Sequence, residues 1–152
     1  MPKGARRLPE ACLERLRVVE RIVHAGDLSA LSVLEDLEAL GPAVSAVGGN
    51  VDEPALAERL SAELELEVGG ARLAVVHDAG AAKGRLRRLR RRFTDADAVV
   101  FGHSHIPLHE AEGDFQIFNP GSPTERRRAP THTMGMLDAN CGRLTFTLIH
   151  LD

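Results

Sequence analysis

The chain has 152 residues, a formal net charge of -3 at pH 7, and no Trp or Tyr. The length suits one domain over residues 1–152, and the charge predicts no general attraction to nucleic acid or to an anionic membrane. No apolar run approaches the roughly 18 residues that a membrane span needs, and Cys12 and Cys141 form no paired motif. We therefore expect a reduced, cytoplasmic protein with an aliphatic core.

The first half of the chain alternates helical and extended patterns. Apolar residues at helical spacing predict one helix over residues 8–17 and a second that is N-capped by Ser29 and ended by Gly41-Pro42. Short apolar runs bounded by glycine or polar residues predict the strands between the helices. These strands cover residues 21–25, 43–48, 64–68 and 71–76.

The second half opens with a helix over residues 83–93 and continues with hairpins. Six of this helix's residues are arginines, but no aromatic residues interleave them for base stacking, so we interpret them as a solvated helix face. A role in attracting a phosphorylated substrate stays open. The remaining strands are predicted over residues 98–101, 108–111, 115–118, 134–137 and 144–149. Helices and strands that alternate in the first half, followed by hairpins in the second, favour an α/β fold.

Side chains that can bind metals follow four of these strands. In an open α/β sheet, ligands bind beyond the carboxyl ends of the strands, so side chains at those ends are expected to converge. Their nitrogen and oxygen donors suit a divalent transition metal. The predicted set is Asp27, Asn50, His77, His103 and His105.

In their order, these residues resemble the motifs of the calcineurin-like metallophosphoesterase superfamily, and in particular of the small bacterial phosphodiesterases of the YfcE type. The family pattern is Asp-x-His, Gly-Asp, Gly-Asn-x-Asp, a lone His and Gly-His-x-His. The resemblance runs from about Leu8 to the C-terminus and includes Asn119-Pro120-Gly121-Ser122, which is similar to the loop that closes such sites. The four motifs present are Gly26-Asp27, Gly49-Asn50-Val51-Asp52, His77 and Gly102-His103-Ser104-His105.

The resemblance implies a four-layer α/β/β/α sandwich and an enzyme that hydrolyses phosphoesters, in particular phosphodiesters, of small phosphorylated molecules. A metal-bound hydroxide would attack at a site for two divalent ions, such as Mn, Ni, Zn, Fe or Co. Asp27 would bridge the ions, Asn50, His77 and His103 would complete the second site, and His105 would bind the first. The implied catalytic residues are Asp27, Asn50 and His105. Assembly into a homo-oligomer stays open.

One motif of the family is missing, because the sequence contains no Asp-x-His. The first metal therefore keeps only two of its four protein ligands, and the two-metal site is incomplete. Residues 1–9 look like the segment that follows that motif, so we expect Met1 to be an internal methionine and the codons before it to encode the missing strand. The alternatives are a shortened chain, an inactive fragment, and a non-catalytic interaction scaffold, as the retromer subunit of this family illustrates.

Further positions carry secondary hypotheses. Many family members have a histidine, proposed as the general acid, where this chain has Val51. Asp52 is predicted to orient a ligand histidine. Asp78 either tunes the site or starts a turn, His132 is a weak candidate for substrate contact, and His24 is expected to pack rather than to bind metal.

Overall fold

A computed structural model describes residues 7–152. The first six residues, part of the segment expected to follow the missing motif, lie outside the described residues. The helices are α1 (Glu10–Leu16), α2 (Leu31–Glu38), α3 (Pro54–Arg59) and α4 (Arg85–Arg92). The strands are β1 (Arg21–His24), β2 (Ala43–Ala46), β3 (Glu63–Val68), β4 (Ala71–Val76), β5 (Ala98–Phe101), β6 (Leu108–Glu112), β7 (Phe115–Asn119), β8 (Thr133–Asn140) and β9 (Arg143–His150).

A five-stranded mixed sheet in the order β3-β4-β5-β7-β6 forms the centre of the fold. The three inner strands run parallel, and the two edge strands pair antiparallel with their neighbours. Both faces of the inner strands are buried, because alternate side chains of a strand point to opposite faces. In β4, Ala74 and Val76 join one core cluster, and Leu73 and Val75 join another.

Helix α4 covers the first face of this sheet. Its Leu89 and the adjoining Phe93 pack against Val76, Phe101 and Ile117, all of which are buried. The arginines of the helix lie at the edge of this packing or in solvent, as the helical pattern predicts.

Two separate two-stranded units cover the second face. Strands β1 and β2 pair in parallel, and β8 and β9 form an antiparallel hairpin. Val47, which follows β2, and Leu144 of the hairpin both pack on the cluster that contains Leu73, Val75 and Val100. The two units thus lie in one layer, although no strand pairing joins them within residues 7–152.

Helices α1 to α3 complete the fold outside the β1–β2 unit. Leu34 and Leu37 of α2 and Leu56 of α3 pack with Leu28 and Ala46 in a third cluster. The order of layers is α4, the five-stranded sheet, the paired β units and α1 to α3, which confirms the predicted α/β/β/α sandwich. Among the described helices, none has the length and apolar character needed to cross a membrane.

The start of α2 differs from the prediction that Ser29 is its N-cap. Ser29 lies in the left-handed region with φ of 75°, and the N-cap is Ala30, which makes no side-chain capping bond. The first amide of the helix, that of Leu31, donates instead to Glu53 Oε1 at 2.7 Å. A carboxylate from the loop after β2 therefore caps this helix.

Candidate metal centre

Asp27 and Asn50 are brought together by two loops that follow neighbouring parallel strands. Asp52 ties these loops to each other, because its two carboxylate oxygens accept from the amides of Ser29 (2.9 Å) and Gly49 (2.7 Å). The amide of Val51 also donates to Asp27 Oδ1 at 3.1 Å. The prediction that Asp52 orients a ligand histidine is thus wrong. Both of its carboxylate oxygens instead accept from backbone amides of the two loops.

His77 follows β4 and is buried with its ring fixed in one orientation. Its Nδ1 lies 2.7 Å from the carbonyl oxygen of Ala25. A carbonyl can only accept, so Nδ1 must donate, and Nε2 of the neutral ring keeps its lone pair. The Ala25 carbonyl therefore sets the tautomer that a metal needs at Nε2.

The lone pair of His77 faces three other metal-binding side chains. His77 Nε2 lies 2.9 Å from Asn50 Oδ1, 3.3 Å from Asp27 Oδ2 and 3.2 Å from His103 Nδ1. His103 Nδ1 is itself 3.2 Å from Asn50 Oδ1. The structure thus brings together four of the five predicted ligands, and donor atoms of Asp27, His77 and His103 all lie within 4.8 Å of one another.

This arrangement fits a divalent metal ion. His77 Nε2, Asp27 Oδ2 and Asn50 Oδ1 are all acceptors in this tautomer, and facing lone pairs repel unless a cation lies between them. Ligand atoms at about 2.1 Å from a tetrahedral ion are about 3.4 Å apart, close to the separations seen here. Nitrogen and oxygen donors in this combination suit transition metals.

His105 does not join the tight cluster. Its Nδ1 donates to the carbonyl oxygen of Glu125 at 2.6 Å, which leaves Nε2 as the acceptor, as in His77. Burial lowers the pKa of His105, and its hydrogen bond to Glu125 acts in the opposite direction. A neutral ring with a free Nε2 is the form that binds metals.

The loop that carries His103 and His105 is held by Asn119, which is fully buried at the end of β7. Asn119 Nδ2 donates to the carbonyl oxygen of Gly102 (3.0 Å) and to Ser104 Oγ (3.1 Å). The Asn119-Pro120-Gly121-Ser122 segment, expected to close the site, therefore contacts the metal-binding loop directly.

Three of the predicted ligands have left-handed backbones, with φ of 60° for Asp27, 65° for His103 and 60° for His105. This region costs a non-glycine residue about 1–3 kcal/mol, and such strain concentrates at functional sites. The strain persists here because Asn119, Asp52 and the Glu125 carbonyl hold the loops on which these residues lie.

The secondary candidates lie apart from the cluster or serve the backbone. Asp78 accepts from the amide of Gly80 at 2.8 Å, which is a turn contact. His132 pairs with Asp152 at 2.8 Å. Val51 is exposed beside the cluster and has no proton to donate from its side chain.

The arginines of α4 mostly serve packing. Arg88 donates to the carbonyl oxygens of Ala79 and Ala81, both at 2.7 Å, and so organises the loop before the helix. The guanidinium of Arg85 lies 4.9 Å from the ring centre of Phe101. These contacts agree with the interpretation of the helix as a solvated face that also covers the sheet.

The roles of two contributors to the site were not predicted from the sequence. The first is the Ala25 carbonyl, which has no sequence signal because any residue supplies one. The second is Gly49, where an added Cβ would overlap Asp27 N and Oδ1 and lie 2.8 Å from its Cα. Its signal was the Gly-Gly pair before Asn50, since adjacent glycines often mark a close backbone approach.

We expect the fold to lose stability in acid because of His24, which lies at the end of β1. Its Nδ1 is inaccessible to solvent and has no hydrogen-bond partner among the described residues. Burial lowers its pKa to about 3, assisted by His77 and opposed by the carboxylate of Asp27. Between pH 6.5 and pH 3 the unfolded chain binds a proton at this residue that the folded chain does not. The free energy of unfolding therefore falls as the pH is lowered. We expect a loss of roughly 2–3 kcal/mol between pH 6.5 and pH 4.5 from this residue.

Urea unfolding at several pH values, in the presence of a chelator, measures this loss. The His24→Leu variant should show a shallower dependence on pH across the same range, because it removes the titrating group. His150→Ala is the matched control, since His150 is exposed. Equal slopes for the wild type and His24→Leu would contradict the assignment.

Comparison with known proteins places the chain among phosphoesterases. A probable metallophosphoesterase of Methanothermobacter thermautotrophicus is 36% identical over 129 residues, which are 84% of this chain and 74% of that protein. A second, from Methanocaldococcus jannaschii, is 34% identical over 123 residues, or 79% of this chain and 62% of that protein. The phosphodiesterase YfcE of Escherichia coli is 40% identical over a shorter stretch of 42 residues, 28% of this chain and 23% of YfcE.

The fold also matches solved structures. The structure of Vps29 complexed with Zn²⁺ from Entamoeba histolytica superposes with a TM-score of 0.77 and 20% identity, covering 99% of this chain and 93% of that one. At this identity the likeness concerns the fold alone. Residues 4–142 match the calcineurin-like phosphoesterase superfamily domain, nearly the full length of the chain. The motifs, the fold and these matches agree, and the chain belongs to the calcineurin-like phosphoesterase superfamily.

Proposed function

We propose that this chain is a metal-dependent phosphoesterase that acts on phosphodiesters. The observation that carries the proposal is the convergence of four metal-binding side chains, two from the β1–β2 unit and two from the five-stranded sheet, in a member of this superfamily. A cluster of facing acceptors is costly to maintain unless it binds a cation, so the arrangement favours a metal site over a structural one.

The residues that would hold the ion are Asp27, Asn50, His77 and His103. A divalent ion bound there supplies positive charge against the phosphoryl oxygens and makes a water molecule more acidic. The protein's part is orientation. The Ala25 carbonyl fixes the tautomer of His77, Asp52 fixes the two loops, and Asn119 fixes the Gly102 to His105 loop.

The preference for diesters follows from the position after Asn50. Val51 cannot protonate a leaving group, and a positioned general acid is worth about 10² to 10⁴ in rate. Substrates with a poor leaving group should suffer most from its absence. We therefore propose activated esters and diesters as better substrates than alkyl monoesters.

One observation favours a second candidate, a non-catalytic scaffold. The sequence lacks Asp-x-His, so a second ion would find only Asp27 and His105 among the residues that the family uses. Against this candidate stands the full set of Asp27, Asn50, His77 and His103, which a scaffold does not need. We propose that the chain binds one ion well and a second one poorly.

A turnover assay with two forms of the protein tests the proposal. The chain is compared with a version that carries an added N-terminal strand ending in Asp-x-His. Each is loaded with Mn, Zn, Ni, Co or Fe(II) and given bis(p-nitrophenyl) phosphate or the alkyl monoester glycerol 2-phosphate. We expect the diester to be hydrolysed faster than the monoester, and the extended form to be faster by at least about 10²-fold, because it can hold both ions.

The outcomes separate the two candidates. Equal diester turnover by the two forms at matched metal content would show that the missing Asp-x-His pair is dispensable. The number of protein ligands would then not limit the activity. Absence of metal-dependent turnover in both forms, with the ion bound, would overturn the enzyme and favour the scaffold.

A further inference from the structure

The loop after β7 brings a cationic side chain to the backbone of the loop that carries His103. Arg127 Nη1 donates to the carbonyl oxygen of His103 at 2.9 Å, and His103 contributes Nδ1 to the cluster. Two residues earlier, the carbonyl of Glu125 accepts from His105. The Arg127 guanidinium is therefore anchored on the backbone of the metal-binding loop.

The neighbouring arginines are used differently. Arg126 Nη1 donates to the carbonyl oxygens of Ala129 (3.0 Å) and Pro130 (3.2 Å), so it closes the turn of its own loop. Arg128 is exposed and makes no polar contact within residues 7–152. Of these three consecutive arginines, Arg127 alone reaches across to the His103 loop. Its backbone is left-handed, with φ of 49°, which is an unfavourable conformation for arginine.

The chemistry of Arg127 suits an anion beside the cluster. A guanidinium has five N–H donors in a planar fork, and the anchor to His103 uses a single nitrogen of Arg127. The side chain is exposed, so its other donors can reach a ligand. Planar forks of this kind bind phosphate oxygens in pairs.

We propose that Arg127 binds a non-bridging oxygen of the phosphate group that occupies this site, as a substrate-positioning residue. The proposal rests on the proposed phosphoesterase function and adds a protein contact to the phosphoryl group besides the ions.

Equilibrium binding of inorganic phosphate tests this proposal without requiring turnover. Calorimetry is run on the metal-free and the Mn²⁺-loaded protein for the wild type, Arg127→Ala, Arg127→Lys and Arg128→Ala. Loss of a charge-assisted hydrogen bond should weaken phosphate binding about 10- to 100-fold in Arg127→Ala. The phosphate affinity of Arg127→Lys should lie between those of the wild type and Arg127→Ala, because lysine keeps the charge but lacks the planar guanidinium. Arg128→Ala removes the same charge one residue away and should stay within about twofold of the wild type.

Two further readouts separate substrate positioning from support of the loop. The Mn²⁺ affinity and the thermal midpoint of Arg127→Ala should match those of Arg128→Ala, and KM for the diester should rise more than kcat falls. Equal phosphate binding by the two alanine variants, or no phosphate binding by the wild type, would overturn the proposal. A loss of Mn²⁺ affinity that accounts for the whole loss of phosphate binding would also overturn it. Phosphate binding that depends on Arg127 without any diester turnover would support the contact and refute the enzyme.

Discussion

His77→Ala is expected to abolish high-affinity metal binding, with a loss of at least about 100-fold in affinity for Mn²⁺ or Zn²⁺. His77 Nε2 is the atom that faces Asp27, Asn50 and His103 within 3.3 Å. Loss of a residue that merely orients a ligand costs about 10- to 100-fold, so loss of a central ligand should cost more. Competition with a fluorescent chelator measures the affinity directly.

Because His77 is buried, the variant also loses its bond to Ala25, and its fold must be checked by circular dichroism. His103→Ala provides a second ligand variant at a more accessible position and should lose binding to a similar degree. His150→Ala, which removes an exposed histidine far along the chain, should bind as the wild type does. Unchanged metal affinity in either ligand variant would refute the site.

Gly49→Ala is expected to impair metal binding by at least about 10-fold without changing any ligand. An alanine Cβ at this position would overlap the amide nitrogen and Oδ1 of Asp27 and approach its Cα to 2.8 Å. Backbone cannot move aside as a flexible side chain can, so the Asp27 loop must shift. Overpacking of this kind also costs about 1–3 kcal/mol of stability.

Gly48→Ala is the matched control. The adjacent glycine has room for a methyl group, because the nearest atom to its added Cβ would be the carbonyl oxygen of Ser61, at an ordinary van der Waals distance of 3.8 Å. We expect its metal affinity and its free energy of unfolding to stay close to those of the wild type. If Gly48→Ala and Gly49→Ala have equal effects in calorimetry and urea unfolding, the close approach to Asp27 is not the cause.

The strands and the ligands at their ends could be predicted because both depend on short-range patterns. Apolar runs such as Val75-Val76 and Val99-Val100 indicate buried strands, and parallel neighbours bring their carboxyl ends to one edge. Four predicted ligands meet there. The predicted helix over residues 8–17 was wrong only at its ends, since the structure has Glu10–Leu16.

The roles of Asp52 and Ser29 could not be predicted, because both depend on contacts across two loops. A sequence shows that Ser29 can cap a helix, but not that its backbone is left-handed or that its amide donates to Asp52. The same holds for Arg127, which donates to the backbone carbonyl of His103, 24 residues earlier in the chain. Such residues act through backbone groups distant in sequence, and backbone groups have no residue-specific signal.

The separation of the β1–β2 unit from the five-stranded sheet bears on how the site could move. Asp27 and Asn50 belong to the former, and His77 and His103 to the latter. Within residues 7–152, side-chain packing and single hydrogen bonds, such as that from His77 Nδ1 to the Ala25 carbonyl, join the two without a strand ladder. A brief opening between these layers would part the ligand pairs while leaving each layer intact. An ion held by all four residues would therefore act as a cross-link between the layers, and its release and their local separation would be a single event.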